Sequence, residues 1–185
     1  RRRGGRGHCR ATRIPVAVGG WASYAIPKRM MEGKPVVVHG DGTSLWTLTH
    51  ADDFARGFVG LLGNPHAIGH ALHITSDFVL TWNQVYEQIG AALGVKPRLV
   101  HIPSDFIAQV DPVIGAGLLG DKMWSAVFDN SKIKRFVPGY IATIPFHEGI
   151  RRTLAWFQAD DRRMQVSPED ETPLERILAA YGKPG

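Results

Sequence analysis

At 185 residues the chain is long enough for one domain with its own core, and a content of 44% hydrophobic and 21% charged residues is ordinary for a globular protein. No apolar run approaches the roughly 20 residues that cross a bilayer, and the single cysteine, Cys9, excludes an internal disulfide and fits a reducing cytoplasm. The net charge of +5 suggests nucleic acid only until it is located: Arg1, Arg2, Arg3, Arg6, Arg10 and Arg13 carry it, and without them 16 basic residues face 17 acidic ones, a net charge of −1, which excludes a phosphate-binding surface over the whole chain.

Residues 1–11 have no hydrophobic periodicity and are expected to be a disordered, arginine-rich tail. Nucleic acid is a partner that this tail alone could serve, since arginine pairs with phosphate and stacks on bases. The other reading is that the tail is the arbitrary start of a fragment. Residues 12–20 form an apolar connector. Residues 21–32 read as a helix ended by Gly33, with Pro27 either kinking it or marking its start. Val36 to Val38 predict a strand, Gly40-Asp41-Gly42 a turn, and the alternation from Leu45 to His50 a second strand, so this stretch reads as a hairpin. Asp52 or Asp53 is the expected cap of the next helix, 53–62, whose Phe54, Phe58, Leu61 and Leu62 share one face. Residues 71–75 predict a short buried strand. Thr81 is the expected N-cap of a helix with Val85, Ile89 and Leu93 as its stripe and Gly94 as its stop. Residues 99–102 predict a strand, Pro103-Ser104 a helix start, 111–120 a glycine-rich apolar loop and 131–136 a short helix. Residues 143–157 contain a longer helix with Phe146, Ile150, Leu154 and Phe157 inward. After a linker, a last helix covers about 173–181. Short strands alternate with helices, so the fold class is α/β. The expected organisation is a tail over 1–11, a domain over 12–165, and a linker with its helix over 166–185.

Motif-like spacings carry less than they promise. Tyr24 and Lys28 match Tyr-x-x-x-Lys, but i and i+4 pairs are common on any helix and Pro27 lies between them. The Gly40-Asp41-Gly42 turn leads into a strand, whereas a pyrophosphate cradle needs a glycine turn that opens a helix. Gly115, Gly117 and Gly120 fit the dinucleotide pattern in outline but follow no strand. The scattered histidines make no metal-ligand spacing. His50 is either a cleft residue or the hinge that fixes a strand-to-helix corner, and Asp53 reads as structural. Asp129 or Ser131 reads as the cap of helix 131–136, and Trp46, Trp82, Trp124 and Trp156 as core or cleft wall.

Gly33-Lys34-Pro35-Val36-Val37-Val38-His39-Gly40-Asp41-Gly42-Thr43-Ser44, followed by Thr49-His50-Ala51-Asp52-Asp53-Phe54-Ala55, resembles the C-terminal half of the NAD-dependent epimerase/dehydratase family, the extended short-chain dehydrogenases. Blocks at 67–76, 81–95, 128–139 and 148–150 fit the same family in the same order. The resemblance covers roughly residues 12–165 and implies a partial Rossmann-type fold: the last parallel strand or strands plus the α/β substrate lobe. It implies NAD or NADP in the parent family, held by an N-terminal half. That half's glycine fingerprint and catalytic Tyr-x-x-x-Lys would precede residue 1, so none of this chain's residues is expected to be catalytic or to hold the cofactor tightly. It also implies a small-molecule substrate, of which a sugar is one form, and Trp46, Thr49, His50 and Lys122 as its contacts. Trp46 and Leu118-Leu119 stand where nucleotide-sugar members carry phosphate-binding arginines, which argues against a nucleoside-diphosphate sugar. The expected function is the substrate-binding portion of an NAD(P)-dependent epimerase/dehydratase-like oxidoreductase whose substrate is a nucleotide sugar or a related compound, inactive alone. The alternatives are an RNA-binding member of the same fold, as in a branch resembling chloroplast RNA-binding proteins, or a non-catalytic interaction remnant. An open sheet edge invites association, so a homo-oligomer is a further expected partner.

Overall fold

Val36, Val37 and Val38 are completely buried, and that run defines the centre of the fold. The computed structural model describes residues 23–182; the expectations for residues 1–11 and the connector 12–20 lie outside them. Strand β1 (Pro35–His39) pairs in parallel with β4 (Arg98–Ile102), in the register Val37 opposite Val100. A continuous β-branched run suits a strand covered on both faces, as parallel strands are. Strand β2 (Leu45–Thr47) pairs antiparallel with β3 (Val79–Thr81), Trp46 opposite Leu80.

This pairing corrects the hairpin. Gly40 and Gly42 do adopt positive φ, +57° and +71°, so the turn is real. Its two arms nevertheless enter different sheets. Burial decides the outcome: β1 must be covered on both sides, and β4 with the helices does this, while β2 stays half exposed.

Helices pack around β1. Helix α1 (Ala25–Met31) ends at Glu32 before Gly33, φ +67°, and rests on β1 and on α3. Pro27 lies in its first turn, where no N–H is needed, and so marks the start rather than a kink. Helix α2 spans Ala51–Leu61. Helix α3 (Trp82–Leu93) opens on a full capping box, Thr81 accepting from the Gln84 N–H and the Gln84 side chain accepting from the Thr81 N–H. It ends at Gly94, φ +73°, as the sequence predicts. Helices α4 (Ser104–Val110) and α5 (Pro112–Gly117) follow, then a π-helical turn over Leu118–Lys122. The expected loop at 111–120 is thus helical. Asp111 accepts the Val113 and Ile114 N–H groups, and Pro112 takes the first helical position. Helix α6 (Ser131–Phe136) has the expected bounds; its N-cap residue is Asn130, without a side-chain cap, while Asp129 accepts the Ser131 N–H. Helix α7 (Phe146–Gln158) buries Ile150, Leu154 and Phe157 against α3. Helix α8 (Pro168–Tyr181) starts earlier than expected, with Pro168 in its first turn and Pro173 inside it. It buries Leu174 and Ile177 against α4 and β1. Residues 71–75 join no strand among the described residues, which corrects the expected strand there.

Two corrections concern α2. His50, not Asp52 or Asp53, is its N-cap, its Nδ1 accepting the Asp52 N–H at 3.2 Å. Asp53 is fully buried and accepts the N–H groups of Thr143 and Ile144 at 3.1 and 3.0 Å and a bond from Arg56, tying α2 to the segment that leads into α7. The large apolar face is also turned outward: Phe54, Phe58, Val59 and Leu62 are 45–64% exposed. Gly57 and Gly60 seat the helix on Ile74, Tyr140 and Val137, so close that an added Cβ would lie 2.5 Å from Ile74 Cγ2 and 2.4 Å from Val137 Cγ1. Among the described residues no helix is long and apolar enough to cross a membrane.

Candidate functional site

Where β1 and β4 end at their carboxyl termini, a cleft of about 610 Å³ opens between the chain segments that leave the sheet. Open α/β sheets place ligands at this end, and the volume suits a small molecule. His39 and Gly40 form one wall with Asp41, Thr43 and Ser44; Pro103, Ser104 and Asp105 form the second; Met123, Trp124 and Ser125 form the third.

Each wall is fixed by short bonds. The Gly40 N–H continues the parallel ladder to the Ile102 carbonyl at 2.8 Å. Asp41 Oδ1 accepts from the Thr43 N–H at 2.9 Å and from Thr43 Oγ1 at 2.6 Å. Those bonds hold the Asp41 carboxyl below its usual pKa, so it is ionised at neutral pH. Asn83 clamps the turn from α3, donating from Nδ2 to the Asp41 carbonyl at 2.9 Å while its N–H reaches the Gly42 carbonyl at 3.0 Å. The Trp124 ring is 62% exposed and held by its Nε1–H on the Leu119 carbonyl at 2.9 Å.

His39 is the unusual group. It is 2% exposed and packs edge-on against Trp82. The Lys122 carbonyl lies 2.9 Å from Nε2 and also accepts from Ser44 Oγ at 3.1 Å. A carbonyl only accepts, so Nε2 carries the proton and Nδ1 is left as an acceptor. Nδ1 is closed off from solvent without a partner among the described residues. Burial pushes the His39 pKa below 6.5 against the opposing pull of the Lys122 carbonyl, and the ring is neutral at pH 7.

The structure divides the four residues singled out from sequence. Trp46 lies half-buried behind the cleft with its ring 5.5 Å from Trp82, and Lys122 reaches the cleft through its carbonyl on His39. The Lys122 ammonium pairs with Asp121 at 3.4 Å. Thr49 accepts the Ser76 N–H at 2.9 Å, and His50 caps α2 in the hinge role. None of the four side chains lines the cleft, and Thr49 and His50 are not brought to it. Tyr24 is buried against Phe157, its hydroxyl 4.0 Å from Met31 Sδ, and Lys28 pairs with Glu171. Trp124, read from sequence as core or cleft wall, lines the cleft, whereas sequence reasoning missed His39. The signal for His39 was a histidine closing a buried triple-valine strand.

The described residues do not fit the pyrophosphate of a dinucleotide. The one glycine turn that follows a parallel strand runs on into β2 rather than into a helix. Its closest approach is already taken by protein, since a Cβ on Gly42 would lie 2.1 Å from Asn83 Oδ1. Among the described residues there is also no group of three or more His, Cys, Asp or Glu side chains that could hold a metal ion.

No family model matches the sequence. It is 32% identical over 123 residues to a 2'-dehydrokanamycin reductase of Streptomyces kanamyceticus, a match covering 66% of this chain and 33% of that protein. It is 30% identical over 132 residues to a dTDP-glucose 4,6-dehydratase of an Actinoplanes species, covering 71% of this chain and 37% of the other. In fold it resembles the dTDP-glucose 4,6-dehydratase of Bacillus anthracis solved in complex with NAD, with a TM-score of 0.58 and 19% identity over 78% of this chain and 42% of that one. The chain spans about a third of the length of the curated relatives it matches. Sequence relatives and solved fold together place it, as a partial member, in the NAD-dependent epimerase/dehydratase family.

Proposed function

We propose that this chain is the substrate-binding portion of an NAD-dependent oxidoreductase of the epimerase/dehydratase type that acts on a sugar. In that reaction a carbinol carbon gives a hydride to the nicotinamide and its hydroxyl loses a proton, leaving a carbonyl, or the same steps run in reverse. This chain's part is to bind and orient the sugar. The cofactor and the proton-transferring groups belong to a dinucleotide-binding half outside it. The observation that carries this reading is the cleft at the carboxyl ends of β1 and β4, walled by Asp41, Ser44, Asp105 and Trp124, with Trp46 and Lys122 behind it. The relatives named for 2'-dehydrokanamycin and dTDP-glucose support the substrate class. One surface supports a further half: the outward apolar face of α2, where Phe54, Phe58, Val59 and Leu62 are exposed. The test is to co-express this chain with the N-terminal half of a relative and follow nicotinamide absorbance with sugar substrates. Hydride transfer that needs both parts is expected. A purified, folded complex with no transfer on any sugar tried refutes the proposal.

A further inference from the structure

We infer that Trp124 is the specificity-determining residue of the cleft, a fixed aromatic platform on which the C–H face of a pyranose ring stacks. This deepens the function proposed above by naming the group that selects the sugar ring, and it rests on that reading.

Exposure is the first argument. Trp124 lines the cleft and is 62% exposed. Trp156 on α7 is also open to solvent, but the Arg163 guanidinium lies 4.2 Å over its ring and Phe157 packs edge-on beside it. Trp124 has no ring or cation against it among the described residues. An indole left in water forgoes the burial that its large apolar area offers.

Rigidity is the second argument, and it is independent of the first. An exposed side chain ordinarily moves among rotamers, whereas this ring is anchored. Its Nε1–H donates to the Leu119 carbonyl at 2.9 Å, and its backbone N–H donates to the Asp121 carbonyl at 3.1 Å. The residues on either side are tied to the first wall and to β2. The Lys122 carbonyl accepts from His39 Nε2 and Ser44 Oγ, and Ser125 Oγ accepts the Leu45 N–H at 3.1 Å. The turn from which the platform rises, Leu118–Lys122, is π-helical, a rare form that recurs at functional sites. A ring fixed before its ligand arrives lowers the ordering cost of binding.

The occupant follows from the chemistry of the ring. Its only N–H is spent inside the protein, so the indole offers a ligand its π face and no hydrogen bond. That face carries partial negative charge, and the polarised C–H bonds on one side of a pyranose match it. Ser44 and Asp105, on the other two walls, accept from the hydroxyls at the rim of the sugar. An acyclic polyol has the hydroxyls without the flat C–H face, and a simple arene has a face without the rim.

Proton–nitrogen correlation NMR of the chain tests this at the Trp124 indole signal, assigned by its loss in Trp124→Phe. The probes are methyl glucoside and methyl galactoside in both anomers, with glucitol as the acyclic polyol and benzyl alcohol as the arene. At least one glycoside is expected to shift the Trp124 signal saturably and to leave the Trp156 signal in place. By ligand-observed saturation transfer, Trp124→Leu should weaken that binding about tenfold, while Trp124→Phe, which keeps a ring, should weaken it about threefold or less. A merely structural apolar role would be met by leucine, and circular dichroism checks the fold of both variants. No shift with any of the glycosides, an equal response to glucitol or to benzyl alcohol, or wild-type affinity in Trp124→Leu overturns the inference. The two readings fail separately. Glycoside binding at Trp124 without hydride transfer in the reconstituted complex sinks the function alone. Transfer whose KM is unchanged by Trp124→Leu sinks this inference alone.

Discussion

Replacing Asp53 with alanine should be among the most damaging single changes in the chain. Its carboxylate is fully buried and accepts two backbone N–H groups, from Thr143 and Ile144, besides the bond from Arg56. Removing it leaves two part-buried backbone donors without their acceptor, each at about 1–3 kcal/mol. Arg56 is half exposed in its side chain, so its share is that of a surface pair, about 0–1 kcal/mol. The loss expected for Asp53→Ala is therefore about 3–5 kcal/mol, and for Arg56→Ala no more than about 1 kcal/mol. Urea unfolding followed by tryptophan fluorescence gives both numbers. In the double variant the pair's coupling should stay small, because the backbone donors and not the guanidinium dominate. If Asp53→Ala costs under 1 kcal/mol, or if Arg56→Ala costs as much as Asp53→Ala, the claim that Asp53 ties α2 to the entry of α7 is wrong.

Other expected outcomes follow from single contacts. Thr81→Ala removes half of a capping box and should cost about 1 kcal/mol in the same unfolding assay. Gly115→Ala drives a Cβ to 2.3 Å from Ala108 Cα, a backbone atom that cannot rotate away, and should cost about 1–3 kcal/mol, whereas Gly120→Ala enters open space and should be neutral or slightly stabilising. His39 has a folded pKa below 6.5, so as the pH falls through 6.5 the unfolded chain takes up a proton that the folded chain refuses. Its contribution to stability is present near neutrality and lost toward acid, with a slope of up to about 1.4 kcal/mol per pH unit. His39→Gln should flatten the stability profile between about pH 7 and pH 5 relative to wild type. Parallel profiles would contradict this.

Much of the fold is legible where local chemistry decides structure. Helix α3 is announced by Thr81 and Gly94, since a capping hydroxyl and a left-handed glycine leave little choice of ends. The glycines mislead at 111–120: they suggest a loop, yet Asp111-Pro112 is a cap followed by a favoured first helical residue. Tertiary burial overrides local pattern at β1, where a good turn does not make a hairpin because three buried valines need cover on both faces. Helix α2 shows the limit most clearly. Its apolar stripe is plain in the sequence, but which face points inward depends on Gly57 and Gly60 meeting Ile74, Tyr140 and Val137. The cleft combines three segments far apart in sequence, 39–44, 103–105 and 123–125. Only the parallel pairing of β1 with β4 brings the first two together, and no local spacing encodes that.

The proposed division of labour leaves nucleotide binding to a dinucleotide-binding half and sugar binding to this chain. Calorimetric titration of NAD and NADP into residues 1–185 tests it most directly, because the glycine turn at 40–42 is filled by Asn83 and opens no helix. No saturable heat is predicted for either nucleotide with the chain alone. A one-to-one isotherm with micromolar affinity would contradict it.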